Sequence, residues 1–184
     1  MEYFILELHQ AYTPPTPLNW YGKLDVKTLE GKKHYQLPRH MIFQIEQHMQ
    51  MVWTDVIMHP CFMVGKEAKE VIELYEPGLR FVRVIFSDKE KRRTKAYHIP
   101  FLVGVDALTD NSKFNRDRSI IYEAEVDASM MRDRTIVRVT NVNQRNCILI
   151  RSDLTESLLS REMIGIGLRE TSVIMKHPSE RSRM

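Results

Sequence analysis

The segment His59-Pro60-Cys61 places an imidazole two residues before a thiol, a spacing at which two side chains of a strand share a face. Such a pair could form a thiolate nucleophile if the side chains met and a third group oriented the histidine. Cys61, however, opens the apolar run Cys61-Phe62-Met63-Val64, and apolar surroundings disfavour the thiolate. The sequence therefore favours a packing role for Cys61. An enzyme that uses Cys61 with His59 or His98 is the alternative.

Metal, phosphate and acid–base sites are not indicated by any sequence motif. His40 and His48 lie eight residues apart on a predicted helix, two turns distant and too far to share one ion. The segment Gly165-Ile166-Gly167 follows a predicted helix rather than opening one, which does not suit phosphate binding. Glu123 and Glu125 alternate with apolar residues, as on the wet face of a strand. We therefore predict a protein that is not an enzyme and uses no metal or cofactor.

The densest charge feature is the segment 88–95, DKEKRRTK, with five basic and two acidic residues. Flanking strand patterns predict a hairpin tip there, and the tip could contact an acidic partner or phosphates. The simpler interpretation is a solvated turn. If the turn is a contact site, Lys91, Arg92 and Arg93 are the candidate binding residues.

The sequence predicts strands and helices of ordinary length, and these elements position the residues named above. A long helix is expected over residues 37–53, because Met41, Ile42, Ile45 and Met49 fall at helical spacing. The other predicted elements are strands at 3–8, 20–26, 61–64, 79–86, 96–105, 120–126 and 136–142, and a helix at 66–75.

A repeat appears when the chain is compared with itself at an offset of 86 residues. Cys61 aligns with Cys147, and after one inserted residue Gly78 aligns with Gly165. Each copy consists of a strand, a helix with an acidic residue in its first turn, a glycine that ends the helix, and a second strand. The glycine is expected in the left-handed conformation. We predict an α+β fold, a mixed or antiparallel sheet with a few helices, that contains two similar strand–helix–strand units. An internal duplication and a chance likeness both remain open.

Composition excludes several classes of protein. The 184 residues are 43% hydrophobic with 27 basic and 24 acidic residues, which excludes collagen-like, low-complexity and disulfide-stapled chains. No apolar run is long enough for a membrane span, and the start is not typical of a signal peptide, so we expect a cytoplasmic protein. The net charge of +3 arises from the 88–95 turn and the tail, which argues against nucleic-acid binding. We expect residues 1–54 and 55–175 to form one fold and residues 176–184 to be disordered.

Three segments resemble immunity protein family eleven, which is found beside bacterial polymorphic toxins. They are Asp55-Val56-Ile57 through Pro77-Gly78-Leu79-Arg80-Phe81, then Tyr97-His98-Ile99-Pro100 through Leu108, and Ile148-Leu149-Ile150-Arg151 through Leu168. The resemblance covers about residues 55 to 174. It implies a cytoplasmic, non-enzymatic immunity protein that binds a cognate toxin and neutralises it by occlusion. The alternatives are the Cys61 enzyme and a small nucleic-acid-binding module.

Overall fold

A computed structural model describes residues 1–18, 20–26, 29, 38, 40–46, 49–144 and 146–175. The predicted α+β class is confirmed, because short strands in mixed sheets alternate with a few helices. The strands of the described residues are β1 (Tyr3–Leu8), β2 (Thr16–Leu18), β3 (His40–Glu46), β4 (Val56–Ile57), β5 (Met63–Val64), β6 (Phe81–Asp88), β7 (Arg93–Pro100), β8 (Gly104–Val105), β9 (Lys113–Phe114), β10 (Ile121–Glu123), β11 (Glu125–Asp127), β12 (Ile136–Val139), β13 (Ile148–Arg151), β14 (Ile166–Glu170) and β15 (Ser172–Ile174). Helices with described bounds are α1 (Lys66–Tyr75), α2 (Ala128–Met131) and α3 (Ser152–Leu159).

The strands form two main sheets, one six-stranded in the order β2-β3-β6-β7-β5-β4 and one five-stranded in the order β14-β1-β13-β12-β8. We call the six-stranded sheet with α1 the first unit. The second unit is the five-stranded sheet with α3 and the parallel pair β11–β15. In each unit a helix connects two strands of one sheet, and an antiparallel strand lies between those two strands.

The strand pairing of the two units agrees residue by residue. Val56 pairs with Val64 in the first unit, and Ile136 pairs with Ile150 in the second. Val64 and Ile150 are separated by the offset of 86 that relates the two copies in the sequence. A parallel strand also completes each unit, since β3 pairs with β6 and β11 pairs with β15. Both aligned segments therefore form strand–helix–strand units, while their origin by duplication stays a prediction.

The two units differ in where the chain supplies the middle strand. In the first unit it is β7, which follows α1 and β6 in the chain. In the second unit it is β1, the first strand of the protein, which inserts between β13 and β14. The amino-terminal strand is thus an internal strand of a sheet otherwise formed by the second half of the described chain.

The core consists of three clusters of buried residues. The central cluster lies where α1 and α3 meet both sheets, and it includes Val64, Ile72, Ile150 and Leu158. The other two clusters cover the opposite face of each sheet. Burial of this apolar surface is the main favourable contribution to folding.

The aligned glycines adopt the left-handed backbone conformation that the sequence predicts. Gly78 has φ of 90° and Gly165 has φ of 92°, both in the left-handed region that only glycine adopts without strain. Gly78 lies in the turn that follows α1, whereas α3 ends at Leu159 and Gly165 stands directly before β14, so the prediction of a glycine stop is wrong for the second helix.

The predicted helix over residues 37–53 is wrong. Residues 40–46 form β3, in which Met41, Phe43 and Ile45 are buried and the intervening residues are exposed. The apolar residues of this segment fit both periods, and pairing with β2 and β6 selects the strand. Leu37, Gln47 and His48 lie outside the described residues.

Two further predictions need correction. Residues 20–26 are not a strand, because the backbone N–H groups of Lys23 and Leu24 both donate to the Trp20 carbonyl and form a turn. The strand predicted at 96–105 is interrupted, since β7 ends at Pro100 and β8 joins the other sheet. The strand at 3–8 and the helix at 66–75 are confirmed. The predicted tail 176–184 lies outside the described residues.

None of the helices within the described ranges is long and apolar enough to cross a membrane.

Candidate functional site

The basic segment forms the tip of the β6–β7 hairpin, as predicted. Asp88 pairs with Arg93 across the base of the turn, and its carboxylate accepts the Lys91 backbone N–H at 3.0 Å. Arg92 takes the left-handed conformation, with φ of 52°. The side chains of Lys91, Arg92 and Arg93 are all exposed. The three candidate binding residues therefore share one exposed tip.

Lys95 belongs to the same basic segment but has a structural role. Its Nζ donates to the carbonyls of Trp53 and Thr54 at 3.2 and 3.3 Å and contacts Asp55 Oδ1 at 3.3 Å. Tyr97 on the same strand donates its hydroxyl to the Thr54 carbonyl at 2.8 Å. Lys95 thus ties the hairpin to the segment before β4.

Beside the hairpin, the six-stranded sheet presents an open face. On this side α1 packs over β4 and β5, including Val56 and Val64. Ile42, Ile85 and Ala96 are direct neighbours in the register of β3, β6 and β7, so they form a row across the sheet. Ile42 is 56% exposed and pairs with Ile85 of β6, whereas β2 pairs only with residues 44–46 of β3. We call the residues around this row, His40, Ile42, Gln44, Arg83, Ile85, Ser87, Thr94, Ala96 and His98, the open face.

A second row of the open face carries basic side chains. His40 pairs with Arg83 and Arg83 with His98, and the first two are exposed. The His98 ring is half-buried against Phe81, with 6.5 Å between ring centroids. Burial lowers the pKa of His98 below its ordinary value, and the positive charges of Lys69 and Arg83 lower it further.

The depressed pKa of His98 predicts an acid-sensitive contribution to stability. The unfolded chain takes up the proton near the ordinary value of 6.5, whereas the folded protein takes it up only at lower pH. The contribution of His98 to the free energy of unfolding should therefore be fully present above pH 6.5 and decrease as the pH drops below that value. Between pH 7 and pH 5, urea unfolding should show a smaller decrease in the free energy of unfolding for His98→Gln than for the parent protein. His40→Gln, in the same row, is the control, and equal losses for parent and His98→Gln would contradict the prediction.

The same positions in the second unit carry different side chains. The shared pairing register makes three pairs of residues equivalent: Ile42 with Glu125, Ile85 with Ser172, and Arg83 with Glu170. The fold therefore accepts acidic and polar residues where the open face has isoleucines and an arginine. Neither the apolar row nor the basic row is required by the strand arrangement.

Cys61 is buried, at 2% exposure, in the core cluster beneath the six-stranded sheet. Burial raises the pKa of its thiol to about 12. His59 is exposed, with its ring against Trp20 at 5.8 Å between centroids. The aligned Cys147 is equally buried, and burial raises its pKa also to about 12. Both thiols are therefore protonated and packed, which agrees with the packing role expected for Cys61.

The acidic pair on the second unit is held by hydrogen bonds. Glu125 accepts the Thr109 hydroxyl at 2.6 Å and the Asn111 amide at 2.9 Å, and Glu123 contacts Lys113 Nζ at 2.7 Å. No group of three or more histidine, cysteine, aspartate or glutamate side chains within the described ranges is arranged to hold a metal ion.

Sequence reasoning missed the open face and a groove. The groove has a volume of about 760 Å³ and lies between the turn at 20–26 and the loop after β12, with Trp20, Tyr21, Thr140 and Asn143 among its lining residues. Both features combine segments far apart in the chain. The spacing of Met41, Phe43 and Ile45 at every second residue is the local sequence signal that would have placed Ile42 on the outward face of a strand.

Comparison with protein-family models finds no match for this chain, and neither does comparison with curated protein sequences.

Proposed function

We propose that this is a non-enzymatic, bacterial immunity-type protein that binds a cognate toxin protein and neutralises it by covering the toxin's functional surface. The observation that carries the proposal is the basic hairpin tip, where Lys91, Arg92 and Arg93 are exposed together. Residues 89–93 comprise four basic residues and one acidic residue, Glu90. Such a tip is complementary to an acidic protein surface.

The hairpin supports recognition without large rearrangement. All eight residues of β6 pair with β7, from Phe81 with Pro100 to Asp88 with Arg93. Beneath it the aromatic rings of Phe86 and Tyr97 lie 5.0 Å apart, which anchors the strands to the core. A preorganised contact loses less conformational entropy on binding than a flexible one.

The alternatives receive less support. A nucleic-acid-binding module would use the same cations, but an apolar row beside them is typical of a protein interface rather than a phosphate-binding surface. An enzyme built on Cys61 would need a thiolate, and the buried thiol is held in its protonated form.

The proposal predicts that a gene beside this one encodes a large secreted protein with a toxin domain, and that domain is the candidate partner. Expression of that domain in bacteria should arrest growth, and co-expression of this protein should restore it. Purified, the two proteins should form a complex. Absence of such a gene, or growth arrest that this protein does not relieve, would overturn the proposal.

Charge reversal at the tip should weaken the complex. In Lys91→Glu/Arg92→Glu/Arg93→Glu we expect the association rate constant for the toxin domain to fall about tenfold or more at low salt, because steering charges are reversed. The difference should shrink in 0.5 M salt, where the Debye length is about 4 Å or less. Surface plasmon resonance measures both rate constants.

The matched control reverses three exposed basic residues outside the hairpin, Lys23→Glu/Arg116→Glu/Arg132→Glu, for the same change in net charge. Equal slowing by the control would show a general charge effect and would remove the tip from the interface.

A further inference from the structure

We infer that the open face is the second part of the partner-binding surface, and that the partner seats an apolar side chain on the row Ile42, Ile85 and Ala96 with carboxylates around it. This inference rests on the proposed function and adds the chemistry of the partner surface. It concerns a protein surface, because the row lies across one face of a sheet.

The exposure of Ile42 is the first observation. Ile42 lies in β3 beside β6, outside the part of β3 that pairs with β2, and its side chain is 56% exposed. Its neighbours Ile85 and Ala96 are half-buried, so the apolar surface extends over three adjacent strands. Burial of such a surface by a partner is favourable because apolar area is removed from water.

The second unit provides an internal control for this surface. At the equivalent register the second unit has Glu125 and Ser172 in place of Ile42 and Ile85. Glu125 and Ser172 occupy the same kind of paired parallel strands, so the fold does not depend on isoleucine there. The exposure of Ile42 is therefore explained better by contact with a partner than by folding.

Charge around the apolar row defines the rest of the partner surface. Exposed His40 and Arg83 lie in the next row on one side. In the opposite direction β6 and β7 lead to the basic tip with Lys91 and Arg92. A partner that covers the whole surface must place acidic groups at both positions and an apolar group between them. The occupant that fits is an acidic protein surface with a protruding aliphatic or aromatic side chain.

The test exchanges the open-face residues for those of the second unit. Ile42→Glu/Ile85→Ser copies Glu125 and Ser172, and its control, Leu74→Glu/Ile120→Ser, changes two residues that are 74% and 52% exposed elsewhere. We expect the dissociation constant for the neighbour-encoded toxin domain to rise at least tenfold in the first variant. The rise should lie in the dissociation rate, and the part caused by lost apolar contact, which Ile42→Thr measures without a change of charge, should persist in 0.5 M salt, unlike the effect of the tip variant.

A second measurement works on the unaltered protein. Titration with the toxin domain should shift the methyl NMR signals of Ile42 and Ile85, while the Ile120 signal stays unchanged. Ile42→Glu/Ile85→Ser could fold poorly, so its folding is checked by circular dichroism. A milder variant, Ile42→Thr, keeps a β-branched side chain and provides a second test. Ile42→Thr should weaken binding in the same direction.

The outcomes separate the inference from the proposed function. Unchanged affinity and unshifted Ile42 and Ile85 signals, with the tip variant still impaired, would overturn the inference and leave the proposed function standing. No complex with the parent protein would overturn both. Concentration-dependent self-association that Ile42→Glu/Ile85→Ser abolishes, without loss of toxin affinity, would assign the face to a second copy of this chain and overturn the inference.

Discussion

Replacement of Gly165 by alanine should destabilise the protein by about 3 kcal/mol, the largest effect expected from a single methyl group in this fold. A Cβ at this position would lie 2.7 Å from Thr54 Cβ and 3.0 Å from Thr54 Cγ2. Thr54 is fully buried, and its hydroxyl donates to the Val56 carbonyl at 2.7 Å, so the side chain has little room to move. Overpacking costs roughly 1–3 kcal/mol, and the left-handed backbone adds about 1–2 kcal/mol for a residue with a Cβ.

Gly78→Ala is the matched control, because the two glycines are aligned and share nearly the same φ. Nothing lies within 4 Å of a Cβ built at Gly78. This variant should lose only the backbone contribution, about 1 kcal/mol. Urea unfolding of both variants at 25 °C gives the comparison, and equal losses would show that contact with Thr54 contributes nothing.

Replacement of Glu76 by alanine should cost about 2–3 kcal/mol, because it leaves buried donors without an acceptor. The Glu76 carboxylate follows α1 and is almost buried, and it receives the Thr135 backbone N–H at 2.6 Å and the Thr135 hydroxyl at 2.9 Å. Arg134 adds a third contact at 3.0 Å, but its side chain is 47% exposed and water weakens that contribution. The network joins the end of α1 to the start of β12.

Glu70→Ala on the same helix is the control for Glu76→Ala. Glu70 is 59% exposed and its contact with Lys66 is 3.8 Å long, so the loss should be within about 0.5 kcal/mol. Thermal and urea unfolding measure both variants. A loss at Glu76 no larger than at Glu70 would contradict the structural role of the buried carboxylate.

Acid dependence provides a second readout of the Glu76 network. Burial raises the pKa of this carboxyl, but the hydrogen bonds from Thr135 and the charge of Arg134 outweigh burial and hold it below its ordinary value of 4.5. The stabilisation is therefore present above pH 4.5 and is lost as the pH falls through the folded-state pKa. Glu76→Gln should lose less stability than the parent protein between pH 5 and pH 3. A parallel loss in both would show that Glu76 is not part of the acid response.

The Gly165 effect bears on the proposed binding surface because Thr54 also holds the hairpin. Lys95 and Tyr97 fasten the hairpin to Thr54, and Thr54 contacts the corner at Gly165. The hairpin of the first unit is thus anchored against the second unit. The variants that test binding change exposed side chains outside this anchor, so stability and binding can be measured separately.

Local interactions explain which features could be predicted from the sequence. The helix at 66–75 follows from its apolar stripe, and the left-handed conformation of Gly78 and Gly165 follows from backbone sterics within a few residues. The tip at 89–92 is exposed because charged residues between two strands have no core to enter. The α+β class and the candidate residues Lys91, Arg92 and Arg93 therefore come from the sequence by itself.

Tertiary structure determined the features that depend on contacts between residues far apart in the chain. Residues 40–46 form β3 because they pair in parallel with β6, which lies some forty residues later in the chain. The stability gained from this pairing exceeds that of the helix that the apolar spacing predicts. The open face required β3, β6 and β7 in one register, and the structural role of Lys95 required the carbonyls of Trp53 and Thr54. The insertion of β1 between β13 and β14 joins the two ends of the described chain. Long-range pairing has no local signature in a single sequence, because its free energy depends on residues that come together only in the folded chain.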